Sequence, residues 1–270
     1  MNYLIHPKGK LAYQKVGDGN EVFLIFHGFG QCHRDMLSFE RIRKPNQCFL
    51  FVDMFYHGRS QWVESSKKLD RVTWSELITS LQKQEDFKAF HLIGYSMGGK
   101  FSLLTYELFV KELKSMTLLA PDGIKTGLWY SMSNYPNFFH AAFKGVVFKP
   151  NRFFGLVDGL NSSGLVEKSL VKFVRTQMET RSKRAQAYFV WKVFGSIQLQ
   201  LGNIIRQART YRTPITLFIG EYDKMVTHKN LDRFSGKIPQ LKKVTLPVGH
   251  GQLIEAAVDY LRFENQQDKI

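Results

Sequence analysis

Ser96, Asp223 and His250 are the residues of this chain whose types could together carry out acyl transfer. A serine hydroxyl is a weak nucleophile until a base removes its proton, and a histidine near its ordinary pKa suits that task. The histidine in turn needs a carboxylate on its far nitrogen, to fix the tautomer and stabilise the imidazolium. Ser96 stands in Gly94-Tyr95-Ser96-Met97-Gly98-Gly99, between an apolar run (Phe90, Leu92, Ile93) and a segment, 101–110, patterned as a helix. Glycines two positions to either side remove side chains that would collide as a strand turns sharply into a helix. That turn holds the serine oxygen clear of the backbone, near the positive end of the following helix.

The elements that must position these residues are legible as apolar runs. Tyr3-Leu4-Ile5 and Lys10-Leu11-Ala12-Tyr13-Gln14 read as short strands around Pro7-Lys8-Gly9. Val22-Phe23-Leu24-Ile25-Phe26 is a continuous apolar run, as in a strand buried on both faces of a parallel sheet, and it ends at His27-Gly28-Phe29-Gly30. Phe49-Leu50-Phe51-Val52 ends at Asp53, Met116-Thr117-Leu118-Leu119-Ala120 at Asp122, Ile215-Thr216-Leu217-Phe218-Ile219 at Asp223, and Val244-Thr245-Leu246 near His250. A helix is expected around 36–42, and Thr73-Trp74-Ser75-Glu76 reads as a capping box opening a helix with Trp74, Leu77, Ile78 and Leu81 on one face. A closing helix over 252–263 and a frayed tail over 264–270 complete the pattern. Strands alternating with helices imply an α/β fold, a doubly wound, mostly parallel sheet with helices on both faces. Ligands bind such sheets beyond the carboxyl ends of the strands, where every candidate polar residue falls.

The chain has 270 residues, 44% of them hydrophobic, enough for one large α/β domain or a domain with an insertion. No window offers the roughly 18 uninterrupted apolar residues of a membrane span. Residues 1–7 lack a basic stretch followed by a long apolar core, so no secretion signal is expected and the cytoplasm is the expected compartment. Cys32 and Cys48 are too few for a disulfide framework, and Cys48 reads as a small buried hydrophobe. The net charge of +15 raises a nucleic-acid reading, but no nucleic-acid-binding signature accompanies it. Residues 124–213 hold fourteen Lys and Arg against three acids, which accounts for most of the imbalance. A solvated basic face is the expectation, with attraction of an anionic substrate left open. The histidines are scattered, so neither a metal nor a cofactor is expected.

On His27-Gly28-Phe29-Gly30, the Gly-x-Ser-x-Gly turn, Gly220-Glu221-Tyr222-Asp223-Lys224-Met225-Val226 and Gly249-His250-Gly251, taken in that order, the chain resembles the α/β-hydrolase superfamily over nearly its whole length. The resemblance implies the order Ser96, Asp223, His250 for the catalytic triad. It implies an oxyanion hole from the backbone N–H groups of Phe29 and Met97. Asp122 is a rival to Asp223, since some members take the acid from the earlier strand. His27, Asp53 and His57 are implied to brace loops. Relatives usually have proline and glycine where this chain has Phe55 and Tyr56, a bulkier loop expected to narrow the pocket. The resemblance also implies a helical cap over 124–211, inserted into a core of 1–123 and 212–270. Tyr95, Trp129, Phe138 and Phe139 are the candidates to line the substrate pocket, within an aromatic run that includes Phe143, Phe148, Phe153 and Phe154.

The function implied is that of a serine esterase acting on a small to medium apolar acyl compound. Two alternatives use the same triad. Gly94-Tyr95-Ser96-Met97-Gly98-Gly99-Lys100 is similar to the turn of the menaquinone-pathway lyase that forms succinyl-hydroxycyclohexadiene carboxylate, and carbon–carbon bond hydrolases share the layout. A non-catalytic ligand receptor on the same fold is a third reading. A small molecule is the expected partner, and the sequence says nothing of oligomeric state.

Overall fold

Apolar and β-branched runs become strands wherever both faces can be covered. The computed structural model describes residues 1–63, 67–124, 144–148, 150–162 and 168–267. The chain opens with an antiparallel hairpin, β1 (Asn2–His6) and β2 (Gly9–Val16). β3 (Glu21–Phe26) and β4 (Gln47–Val52) follow, and β5 (Gln61–Trp62) is a two-residue strand with no signal in the sequence. Next come β6 (Phe90–Tyr95), β7 (Leu113–Leu119), β8 (Ile215–Gly220) and β9 (Leu241–Leu246). The nine strands form one sheet in the order β1-β2-β4-β3-β6-β7-β8-β9, with β5 beside β2. From β4 to β9 the pairings are parallel, and β2 pairs antiparallel with each of its neighbours β1, β4 and β5.

The direction of strand order reverses between β3 and β6. From β3 the chain steps outward to β4, whereas from β6 it steps the other way through β7, β8 and β9. A crevice opens at such a switch point, beyond the carboxyl ends of the two strands. The segments that leave those ends carry Phe29 and Ser96.

Helices cover the sheet. α1 (Arg71–Gln84) buries Trp74, Leu77, Ile78 and Leu81, the face its spacing predicts. It begins at Arg71, ahead of the expected capping box. Thr73 is instead buried in the first turn, its Oγ1 accepting from Lys8 Nζ at 2.5 Å. Docking against the hairpin outweighs the local capping preference. α2 (Met97–Phe109) is buried over most of its length, as suits a helix leaving a central strand. The expected helix around 36–42 is a 3-10 helix, His33–Ile42, and a short 3-10 turn at His250–Gln252 leads into the closing helix.

The chain divides into two compact units: residues 1–63, 71–125 and 198–270, and residues 64–70 with 126–197. The second unit contains α3 (Pro150–Ser162), α4 (Lys168–Met178) and α5 (Arg181–Phe194). Proline is tolerated at the first position of α3 because that N–H has no intrahelical partner. The expected insertion, 124–211, runs past this unit: α6 (Leu201–Tyr211) belongs to the first, burying Ile204 and Ala208. The first unit is completed by α7 (His228–Ser235) and α8 (Leu253–Gln267), which is helical over 264–267, where a frayed tail is expected; the rest of that tail, 268–270, lies outside the described residues.

Several cations of the basic segment have internal partners. Arg175 pairs with Asp158 at 2.5 Å and Lys183 with Glu179 at 3.1 Å. Arg184 is buried and donates to the carbonyls of Val147, Met178 and Glu179. Both cysteines are free, and Cys48 is buried as expected. Among the described residues no helix is long and apolar enough to cross a membrane.

Candidate active site

Ser96 sits between the last residue of β6 and the first of α2, with φ 50° and ψ −114°. A non-glycine residue holds such a backbone only when its surroundings over-determine it, at a cost of about 1–3 kcal/mol. Three backbone hydrogen bonds do so. Ser96 N–H donates to the Leu119 carbonyl at 2.9 Å, and its own carbonyl accepts from Gly99 N–H at 2.9 Å and Asp122 N–H at 2.8 Å. A Cβ on Gly98 would lie 2.1 Å from the Phe26 carbonyl oxygen, and one on Gly94 2.2 Å from Ser102 Oγ. Both glycines of the motif are therefore required by close approach. A serine before a helix ordinarily caps it, but the Ser96 side chain makes no capping bond. Its hydroxyl is left for other work.

Asp223 follows β8 and is buried. Its Oδ1 accepts from the N–H groups of Met225 at 2.8 Å and Val226 at 2.9 Å, and its Oδ2 from His250 Nδ1 at 2.6 Å. With Nδ1 as donor, the lone pair of His250 is on Nε2, the nitrogen a general base would use. The rival acid, Asp122, gives its N–H to the turn at Ser96. Tyr95 ties the two halves together, its hydroxyl donating to the His250 carbonyl at 2.9 Å. Among the described residues Ser96 Oγ makes no hydrogen bond to His250, and such bonds commonly tighten only when substrate binds.

The loop after β3 is braced from beneath. His27 Nδ1 donates to the Gly28 carbonyl at 2.7 Å and Nε2 accepts from Met54 N–H at 3.0 Å. His57 Nδ1 donates to the Phe55 carbonyl at 3.0 Å, and Nε2 accepts from Gly30 N–H at 3.1 Å. Both rings are buried, and the loss of solvent pushes their pKa values down to about 4 for His27 and about 3 for His57. Each therefore accepts one backbone N–H as a neutral ring. Asp53 takes the His33 N–H and Nδ1 on one oxygen, at 2.7 and 2.9 Å, and the Arg59 N–H on the other at 2.9 Å. Cys32, His33 and Asp53 bring potential metal ligands within 4.8 Å of one another, and these hydrogen bonds commit the carboxylate to the loop.

Two expectations change. Phe55 does not narrow a pocket: it is fully buried and packs edge-on against Trp62, with ring centroids 4.8 Å apart. Tyr56 adopts φ 64°, so the position where relatives carry glycine still demands a left-handed backbone. Tyr95, expected on the pocket wall, is only 4% exposed and spends its hydroxyl on His250. Met97 is the first residue of α2, so its N–H is among those without an intrahelical acceptor. Trp129, Phe138, Phe139 and Phe143 lie outside the described residues. In the second unit Phe153 and Phe154 pack on each other, and Phe148 is exposed beneath Arg181. Gln31 and His33 were not singled out in the sequence. Gln31 Oε1 accepts from Gly28 N–H at 2.9 Å, a role that polar residues in a glycine-rich loop do not advertise.

A family model described as alpha/beta hydrolase fold matches residues 21–257. The chain belongs to the α/β-hydrolase family. This hydrolase is 24% identical over 258 residues to Lipase 1 of Psychrobacter immobilis, covering 92% of this chain and 77% of that one. Among solved structures it is similar to an alpha/beta hydrolase enzyme from a Medee basin deep-sea metagenome library. That match has TM-score 0.68 and 17% identity, covering 97% of this chain and 95% of the other. A thermophilic esterase from Thermogutta terrifontis superposes with TM-score 0.70 at 14% identity, covering 97% and 93%. At these identities the structures speak to the fold.

Proposed function

We propose that this α/β hydrolase is a serine esterase, with Ser96 as nucleophile, His250 as general base and Asp223 as its partner. The observation that carries the reading is the 2.6 Å bond from His250 Nδ1 to a buried carboxylate that two backbone N–H groups already orient. As Ser96 Oγ attacks the acyl carbon, His250 Nε2 takes its proton and Asp223 stabilises the imidazolium. The N–H groups of Met97 and Phe29 are assigned to the oxyanion by position, such donors contributing roughly 3 kcal/mol each at the high end. Collapse expels the alcohol, which takes the proton from His250, and water then releases the acid by the same steps in reverse. The names of the similar proteins, a lipase and an esterase, support carboxylic esters as the substrate class.

Hydrolysis of p-nitrophenyl esters of increasing acyl length, by the native protein and by Ser96→Ala, tests the proposal. Turnover abolished in Ser96→Ala supports it, and the preferred length measures the acyl site. A folded native protein with no ester turnover refutes the esterase reading and favours the lyase or carbon–carbon hydrolase alternative.

A further inference from the structure

His250 is flanked by Gly249 and Gly251 on a three-residue 3-10 turn, and a Cβ on Gly251 would meet nothing within 4 Å. Such a backbone is soft. The bond to Asp223 sets the tilt of the imidazole but does not tie its main chain to the strand that bears the nucleophile. Tyr95 makes that tie. It is buried at the end of the central strand β6, adjacent in sequence to Ser96. Its hydroxyl donates to the His250 carbonyl at 2.9 Å, and its ring lies 5.0 Å from the imidazole at an interplanar angle of 36°. The other side of the contact is the loop after β3, since a Cβ on Gly28 would come within 2.9 Å of ring atoms Cδ1 and Cε1. One side chain thus touches the turn of the nucleophile, the segment of the base, and the segment that leads to Phe29.

We propose that Tyr95 is a positioning residue that holds His250 in register with Ser96 and the oxyanion loop, rather than a contact for substrate. The proposal rests on the serine-hydrolase reading above. Burial raises the phenol's pKa, so it remains a donor throughout the working range. The His250 carbonyl also accepts from Leu253 N–H, so removing the phenol hydroxyl leaves no orphaned carbonyl. Tyr95→Phe is therefore expected to fold, and Tm measured beside activity verifies it.

The test measures kcat and KM on the best p-nitrophenyl ester, together with the rate at which a fluorophosphonate labels Ser96. The expected result for Tyr95→Phe is a kcat and a labelling rate lower by roughly ten- to a hundredfold, the scale of a misplaced catalytic group. KM should be unchanged. Replacing Tyr95 by p-aminophenylalanine, which keeps a donor at the same place, should restore much of both rates. Native kcat in Tyr95→Phe, or a raised KM at native kcat, overturns the positioning role while leaving the triad standing. So does a lowered kcat that the amino analogue does not rescue. A native protein that neither turns over esters nor labels at Ser96 fails the hydrolase reading itself, and the positioning role with it.

Discussion

Acidification from pH 7 to pH 5 should destabilise this protein through two histidines that take no part in the proposed chemistry. His27 and His57 are buried and each accepts a backbone N–H on Nε2, so a proton there must break a hydrogen bond as well as lose solvent. Their pKa values fall from 6.5 to about 4 and about 3. Between those values and 6.5 the unfolded chain binds protons that the folded chain refuses, so stability declines as pH falls through this window. At pH 5 each ring is about 1.5 pH units below its unfolded pKa, worth about 2 kcal/mol, or about 4 kcal/mol for the pair. That is a large share of a typical 5–15 kcal/mol. Glu85, whose pKa is lowered from 4.5 chiefly against its own burial by Lys15 and Tyr13, adds its loss only at lower pH. Urea unfolding at pH 7, 6 and 5, at constant ionic strength, reads the effect directly. His57→Gln, whose Oε1 can accept from Gly30 N–H, should remove about half of the pH dependence. A free energy of unfolding flat to within about 1 kcal/mol from pH 7 to 5 would refute the assignment of neutral, refusing rings.

Three further outcomes follow from the site. Ser96→Gly should abolish ester turnover yet raise stability by about 1 kcal/mol, because glycine accepts φ 50° without strain; thermal unfolding checks the sign. Gly98→Ala should cost about 3 kcal/mol and lower expression, since its methyl would fall 2.1 Å from a backbone oxygen of β3 that cannot move aside; a native-like melting temperature would contradict this. Asp223→Asn should keep the fold and lower kcat by about 10⁴, because an amide no longer fixes the tautomer of His250. A loss below tenfold would return the acid's role to Asp122.

Sequence alone determined the sheet and the address of each chemical group. Runs such as Val22–Phe26 need burial on both faces, which a parallel sheet under helices supplies, and six strand runs each end one to four residues before a polar candidate. The glycines around Ser96 were readable because close approach excludes every side chain, a constraint that acts locally. Tertiary structure decided what depends on residues far apart in the chain. Asp223 and Asp122 both follow strands, and only the fold bonds one of them to His250, 27 residues beyond Asp223. The helix over 201–211 carries no mark of the unit it joins, because burial of Ile204 and Ala208 is set by the partner they meet. Phe55 read as a pocket filler and Tyr95 as a pocket wall, since an aromatic side chain does not announce the direction in which it points. Their packing turns one into core and commits the hydroxyl of the other to His250, across 155 residues.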